Sequence, residues 1–222
     1  MDPLGNPGER PAVLTSLEEK VAPAHTALLV IDMLNDFIDP AGKTATRAQR
    51  PIGHARAVLP IMARLIDAAR ASGITVVYVN HVTLAHYASA SGPWLDARSR
   101  STYSVEDICL EGTWGGQVVN ELAATAGDLQ VSKYRYSGFA GTNLDLVLRS
   151  MAVRTVVCAG VSTNACVEAT AREAFSLDYY TVYASDACAS WDMDLHAATL
   201  ATAGHRYATV ATTDDLERAW KP

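Results

Sequence analysis

The sequence has no apolar run that reaches the roughly 18 residues a membrane-spanning helix needs, so a helical membrane protein is not expected. It has no basic run. Its 18 Lys and Arg are scattered among 24 acidic residues, and the net charge of −6 argues against a nucleic-acid binder. It has few cysteines. Cys109, Cys158, Cys166 and Cys188 form no C-x-x-C and no paired spacing, which fits free thiols in a reducing compartment. Met1–Gly8 is polar, with Pro and Gly, and lacks the basic start and apolar middle of a secretory signal, so a cytoplasmic location is the expectation. Internal repeats and low-complexity segments are absent. What is there is a chain of 222 residues, 49% hydrophobic and 19% charged, enough for one domain with a substantial core. The expected organisation is an N-terminal arm over residues 1–25, with a short helix within Leu14–Val21 capped by Thr15 or Ser16, and a domain over 26–222.

Buried strands and helices alternate along that domain. Ala27–Asp32, Ile74–Asn80, Asp128–Val131, Thr155–Ala159, Tyr180–Ala184 and Tyr207–Val210 read as strands. Val58, Ile61, Met62, Leu65, Ile66 and Ala69 form one face of a helix ending at Ala71, which Pro60 either kinks or starts late. Further helices are expected over Gln117–Ala126, Leu144–Met151, Val167–Phe175, Leu195–Ala203 and Asp214–Trp220, with loops over Ser91–Trp94, Arg98–Ser101 and Gly112–Gly116. The alternation predicts an α/β fold: a three-layer α/β/α, doubly wound, Rossmann-like, mostly parallel sheet of six strands.

The segment Gly160–Phe175 organises the chemistry. Cys166 falls where a buried strand gives way to a helix, and a helix N-terminus offers unpaired N–H groups and partial positive charge. That setting favours thiolate and supplies donors for an oxyanion. Taken on position alone, a free cysteine is more often a small buried packing residue. Two other strand ends carry complementary groups, Asp32 after Ala27–Ile31 and Lys133 after Leu129–Val131. In open α/β sheets, carboxyl ends of strands line the ligand crevice. There a carboxylate can take the thiol proton and a lysine can favour thiolate by charge.

Three stretches, Val30–Phe37 (VIDMLNDF), Ser132–Phe139 (SKYRYSGF) and Gly160–Val167 (GVSTNACV), occur in this order. Together they resemble the signatures of the isochorismatase-like cysteine hydrolases over about Ala27–Thr213. The segment Lys133–Ala184 is similar to the ureidoacrylate amidohydrolase and N-carbamoylsarcosine amidase branch. The resemblance implies a catalytic set of Asp32, Lys133 and Cys166, oxyanion donors at the backbone N–H groups of Ser162 and Cys166, and a cis peptide between Val161 and Ser162. It implies cysteine-dependent hydrolysis of a small amide or ureide through an acyl-enzyme. Isochorismatases proper cleave a vinyl ether and lack this nucleophile. The family often has Gln where this chain has Leu34.

Alternatives within the class are biuret or triuret, maleamate, a lactam or nicotinamide as substrate. Outside it stands a catalytically silent binding module. The resemblance also implies a homodimer or homotetramer. Metal-using relatives carry an Asp-x-His pair after the first strand; here Asp36–His54 has none, and His81 and His86 are five apart, so no metal and no cofactor are expected. Phe37, Asn80, His81, Trp114 and Tyr136 are the candidates for substrate contact, with His86, Tyr87 and Trp94 as further lid candidates. Arg135 and Arg172 are candidates for a substrate carboxylate or for surface ion pairs.

Overall fold

A computed structural model describes residues 10–100 and 107–221. The helices in chain order are α1 (Leu17–Lys20), α2 (Asn35–Ile38), α3 (Lys43–Thr46), α4 (Gly53–Ala57), α5 (Leu59–Ala71), α6 (Gly92–Arg100), α7 (Leu144–Ser150), α8 (Glu168–Ser176), α9 (Met193–Arg206) and α10 (Thr213–Trp220). The strands are β1 (Thr26–Ile31), β2 (Thr75–His81), β3 (Leu129–Lys133), β4 (Thr155–Val161), β5 (Tyr180–Ala189) and β6 (Thr209–Ala211). They form one six-stranded sheet in the order β3-β2-β1-β4-β5-β6. Every pair is parallel, so the sheet is wholly rather than mostly parallel.

Side-chain alternation on the strands explains the layers. Leu28 and Val30 of β1, Val76 and Tyr78 of β2 and Val157 and Ala159 of β4 share a core with α5 and α10. Ala27, Leu29 and Ile31, Val77 and Val79, and Val156 and Cys158 share the opposite core with α7, α8 and α9. Both faces are covered, which is why β1 and β4 are buried throughout and read as continuous apolar runs. The strand order reverses between β1 and β4, and this switch point opens a crevice at their carboxyl ends.

The expected helix near residue 60 is two helices. Pro60 lies in the first turn of α5, where its missing N–H costs nothing, so it marks a start rather than a kink. Residues 14–25 lie against the domain: the Leu14 amide donates to the Tyr180 hydroxyl at 2.9 Å, Val21 is fully buried, and the Trp220 indole donates to the Val21 carbonyl at 3.0 Å. The α1 cap is Ser16, in a reciprocal capping box with Glu19.

Three elements depart from the sequence reading. Residues 92–94 and 98–100, expected as loops, belong to α6: the Ser91 hydroxyl accepts from the Trp94 amide and Pro93 sits in the first turn, a start signal obscured by its Gly-Pro content. The helix expected over Gln117–Ala126 is only a single 3₁₀ turn at Asn120–Leu122. Its backbone is engaged elsewhere, with the Asn35 amide donating to Gln117 O and the Val119 amide to Met33 O. The fifth strand runs past Ala184 to Ala189, because after a register shift Gly160 pairs with Cys188 and Val161 with Ala189. Phe175 is half exposed, while Ala171 and Ala174 of α8 are fully buried. Ser101 and residues 1–9 lie outside the described residues.

Candidate active site

Asp32 follows β1 directly and has φ 55°, a left-handed conformation that is costly for a non-glycine residue. It is held there by its own amide, which donates to Val79 O at 3.1 Å, and by its carbonyl, which accepts from the Leu34 amide at 2.7 Å. The turn carries the carboxylate under the end of β2, where Oδ1 accepts from the His81 amide at 2.7 Å. Oδ2 lies 2.8 Å from Lys133 Nζ, and both side chains are fully buried. With Oδ1 engaged by the His81 amide, Oδ2 is the carboxylate oxygen that meets Lys133 and can take up a proton. Lys133, the last residue of β3, also donates to Arg135 O at 3.2 Å.

Cys166 comes from the other side of the switch point. After β4 the Val161–Ser162 peptide is cis, and Thr163–Val167 forms one π-helical turn leading into α8. Gly160 at φ 130° permits this exit, since a Cβ there would lie 2.0 Å from Ile31 O. The turn is braced from α9 and its approach. Thr163 Oγ1 is 2.8 Å from His196 Nδ1, the Ser190 hydroxyl donates to Asn164 Oδ1 at 2.7 Å, and the Thr199 hydroxyl donates to Glu168 Oε2 at 2.9 Å. A bridge from the Lys133 side meets it: the Gly138 amide donates to Thr170 Oγ1, whose hydroxyl donates to Cys166 O at 2.7 Å.

The Cys166 thiol therefore faces both Asp32 and Lys133. Burial and the Asp32 charge push its pKa up to about 12, and Lys133 offsets only part of this. This corrects the expectation drawn from its position before a helix: the resting group is a thiol. Lys133 is held above the ordinary lysine value, because attraction to Asp32 and Cys166 outweighs the desolvation that acts against its charge. The other three cysteines are buried away from the cavity, with pKa values raised chiefly by burial.

Asp32 and Cys166 open onto a cavity of about 390 Å³, also lined by Val161, Ser162 and Ala165. Of the candidate contact residues, Phe37, His81 and Tyr136 line it, and Trp94 completes an aromatic wall. His81 lies between Phe37 and Trp94, with ring centroids 6.3 and 5.9 Å away, and Tyr136 is 4.8 Å from Trp94. Burial, with Lys133, Arg98 and Arg135 nearby, holds the His81 pKa well below the usual histidine range, so its ring is neutral.

Asn80 does not line the cavity: neighbours on a strand point to opposite faces, and His81 takes the inward one. Trp114 does not line it either; its carbonyl accepts from Asn35 Nδ2 at 2.8 Å while the ring is half exposed. His86 and Tyr87 are exposed and outside the cavity. Arg135 stacks over Trp94 and donates to the carbonyls of Ser89 and Tyr134, and Arg172 pairs with Glu168. The lining residues that sequence reasoning passed over are Arg50, Arg98, Asn164, Ala165, Ser190, Trp191, Asp192 and Leu195. The run from Ser190 to Asp192 follows the true end of β5, so the strand-end rule would have found it had that strand not been cut short.

A three-layer parallel sheet with a buried carboxylate, lysine and thiol at its switch point defines the class, and the chain belongs to it: the isochorismatase domain family matches residues 26–215. The chain is 34% identical over 204 residues to a ureidoacrylate amidohydrolase of Agrobacterium fabrum, covering 87% of this chain and 89% of that one. Among solved structures it is similar to a cysteine hydrolase from Pseudomonas syringae, with TM-score 0.81, 28% identity and coverage of 90% and 94%. It is also similar to N-carbamoylsarcosine amidase from Thermoplasma acidophilum, with TM-score 0.69, 32% identity and coverage of 86% and 97%.

Proposed function

We propose that this protein is a cysteine-dependent amidohydrolase acting on a small amide or ureide. The observation that carries the reading is the contact of one thiol with a buried carboxylate and lysine at the wall of a cavity. The similarity to amidohydrolases of carbamoyl and ureido compounds supports the same chemistry.

Because the thiol rests protonated, attack and deprotonation go together. Asp32 Oδ2 takes the Cys166 proton as Sγ bonds to the substrate carbonyl carbon. Lys133 stays protonated and balances the charge that passes between carboxylate and sulfur. The carbonyl electron pair moves onto oxygen, which the backbone N–H groups of Ser162 and Cys166 receive. As the C–N bond breaks, Asp32 returns the proton to the leaving nitrogen, which departs as ammonia or an amine. A water molecule, deprotonated by Asp32, attacks the acyl-enzyme; the C–S bond breaks and the thiol is restored.

The test is ammonia release from a panel of 3-ureidoacrylate, N-carbamoylsarcosine, biuret, maleamate and nicotinamide, with and without chelator, beside Cys166→Ala. Release from a ureide or carbamoyl compound, unaffected by chelator and lost in Cys166→Ala, is the expected result. Release that chelator abolishes and Cys166→Ala retains contradicts the reading.

A further inference from the structure

We infer that Thr170 is a positioning residue: its buried hydroxyl ties the turn that carries Cys166 to the segment that follows Lys133, and so keeps Sγ against the Asp32–Lys133 pair. The inference rests on the amidohydrolase reading for what that contact does in turnover, and on geometry alone for the tie itself.

The backbone of the cysteine turn does not fix its own place. The Val167 amide donates to Ser162 O at 3.2 Å and the Glu168 amide donates to Thr163 O, the wide steps of a π turn. These bonds stay close to the turn, whereas Asp32 follows β1 and Lys133 ends β3. The side-chain bonds of Thr163, Asn164 and Glu168 run to His196, Ser190 and Thr199, on the side of α9. They reach neither partner of the thiol.

Thr170 makes the missing link. It is fully buried on α8. Its hydroxyl donates to Cys166 O at 2.7 Å, and Oγ1 accepts from the Gly138 amide at 2.9 Å. A threonine bonded back to the carbonyl four residues earlier is ordinary in a helix. The second bond is not local, since its donor lies 32 residues away in the chain. Gly138 belongs to the stretch that begins with Lys133, whose Nζ donates to Arg135 O at 3.2 Å. The far side of Gly138 is held too, its carbonyl accepting from the Thr142 hydroxyl at 2.6 Å.

The fit around Gly138 leaves little play. A Cβ there would lie 2.8 Å from Val79 Cγ1 and 3.2 Å from Thr170 Cγ2. Its missing side chain lets the stretch sit between β2 and α8. Val79 is also the residue whose carbonyl accepts from the Asp32 amide at 3.1 Å. A continuous chain of contacts therefore runs from Asp32 through Val79, Gly138 and Thr170 to Cys166. It closes where the thiol meets Asp32 and Lys133. The thiol must hand its proton to Asp32, so a displacement of the turn by about 1 Å is enough to cost about 10²-fold in rate.

The experiment is alkylation of Cys166 by iodoacetamide in the full-length protein, followed by peptide mass spectrometry from pH 6 to 9. Wild type is compared with Thr170→Val, which removes both bonds, and with Thr170→Ser, which keeps the hydroxyl. Circular dichroism checks each fold, and Cys109, Cys158 and Cys188 serve as internal controls. With Asp32 as proton acceptor, the wild-type rate should vary less than about threefold across the range. In Thr170→Val the rate at neutral pH should fall at least about tenfold and climb about tenfold per pH unit, as for a thiol that ionises unaided. Thr170→Ser should stay within about threefold of wild type. On a substrate that releases ammonia, Thr170→Val should lower kcat at least about tenfold and leave KM within about threefold.

Equal rates or equal pH dependence in wild type and Thr170→Val overturn the inference. So does Thr170→Ser as slow as Thr170→Val, or faster labelling of all four cysteines, which is loosening of the whole molecule. If Thr170→Val does not fold, Thr170→Ala takes its place; if neither folds, the hydroxyl is a requirement of folding and the inference falls. The hydrolase reading fails separately. If alkylation responds as expected while wild type releases no ammonia from any ureide or carbamoyl compound, hydrolysis is wrong and the positioning role stands. If Thr170→Val releases ammonia with the wild-type kcat, hydrolysis stands and the positioning role is wrong.

Discussion

Lys133 Nζ lies 2.8 Å from Asp32 Oδ2, with both side chains fully buried. Removing one partner leaves the other charge in the interior without compensation. Lys133→Met should therefore lower unfolding stability by about 3–5 kcal/mol, and the double variant Asp32→Asn/Lys133→Met should recover most of that loss. Urea denaturation of the three proteins measures it. Asp32→Asn alone should cost about 10²–10⁴ in turnover, as loss of a positioned base does.

The Cys166 thiol is raised to about 12, so the free protein should show no thiolate absorbance near neutral pH. Cys166 is nevertheless the cysteine on the cavity wall, with Asp32 beside it to accept its proton. Iodoacetamide at neutral pH should label Cys166 before Cys109, Cys158 or Cys188, and Asp32→Asn should slow that labelling. Peptide mass spectrometry reads the order.

Stability should fall on the alkaline side. Cys166 and Cys188 are each raised from 9.0 to about 12, and Cys109 and Cys158 are raised as well. A folded chain that keeps protons which the unfolded chain gives up is stable below pH 9 and loses stability as pH climbs towards 12. The slope is about 1.4 kcal/mol per pH unit for each such thiol. Lys133, also raised, acts in the same direction above the ordinary lysine value of 10.5. Urea midpoints between pH 8 and 10.5 should decline, and less steeply in Cys188→Ala.

Gly160→Ala should be among the most damaging single changes. Its Cβ would meet Ile31 O at 2.0 Å, at a φ of 130° and in the ladder that joins β1 to β4. The expected loss is at least about 2–3 kcal/mol, with activity falling because Asp32 and the cysteine turn leave from this place. Thermal unfolding beside an exposed control such as Phe175→Ala tests it.

The sheet was legible because β1 and β4, covered on both faces, stand out as unbroken apolar runs. That Asp32, Lys133 and Cys166 come together was legible because strand ends in a parallel sheet face one crevice. The choice between Asn80 and His81 was not, since it depends on the parity of β2, and the last residue of a strand is the hardest to assign. Trp191 was hidden by a register shift in β5 that comes from pairing with β4 rather than from local sequence. The guanidinium of Arg98 depends on α6, whose Ser91-Gly92-Pro93 start has the composition of a turn.

The most direct test of the account is to catch the covalent intermediate. The protein would be mixed with a ureide or carbamoyl substrate found by the ammonia panel, quenched in acid within the first turnovers, and measured by intact and peptide mass spectrometry. The account predicts an added mass equal to the acyl fragment, located on the Cys166 peptide, present in the wild type and absent from Cys166→Ala and Asp32→Asn. Unmodified Cys166 throughout steady turnover, with Cys166→Ala still releasing ammonia at the wild-type rate, would contradict it.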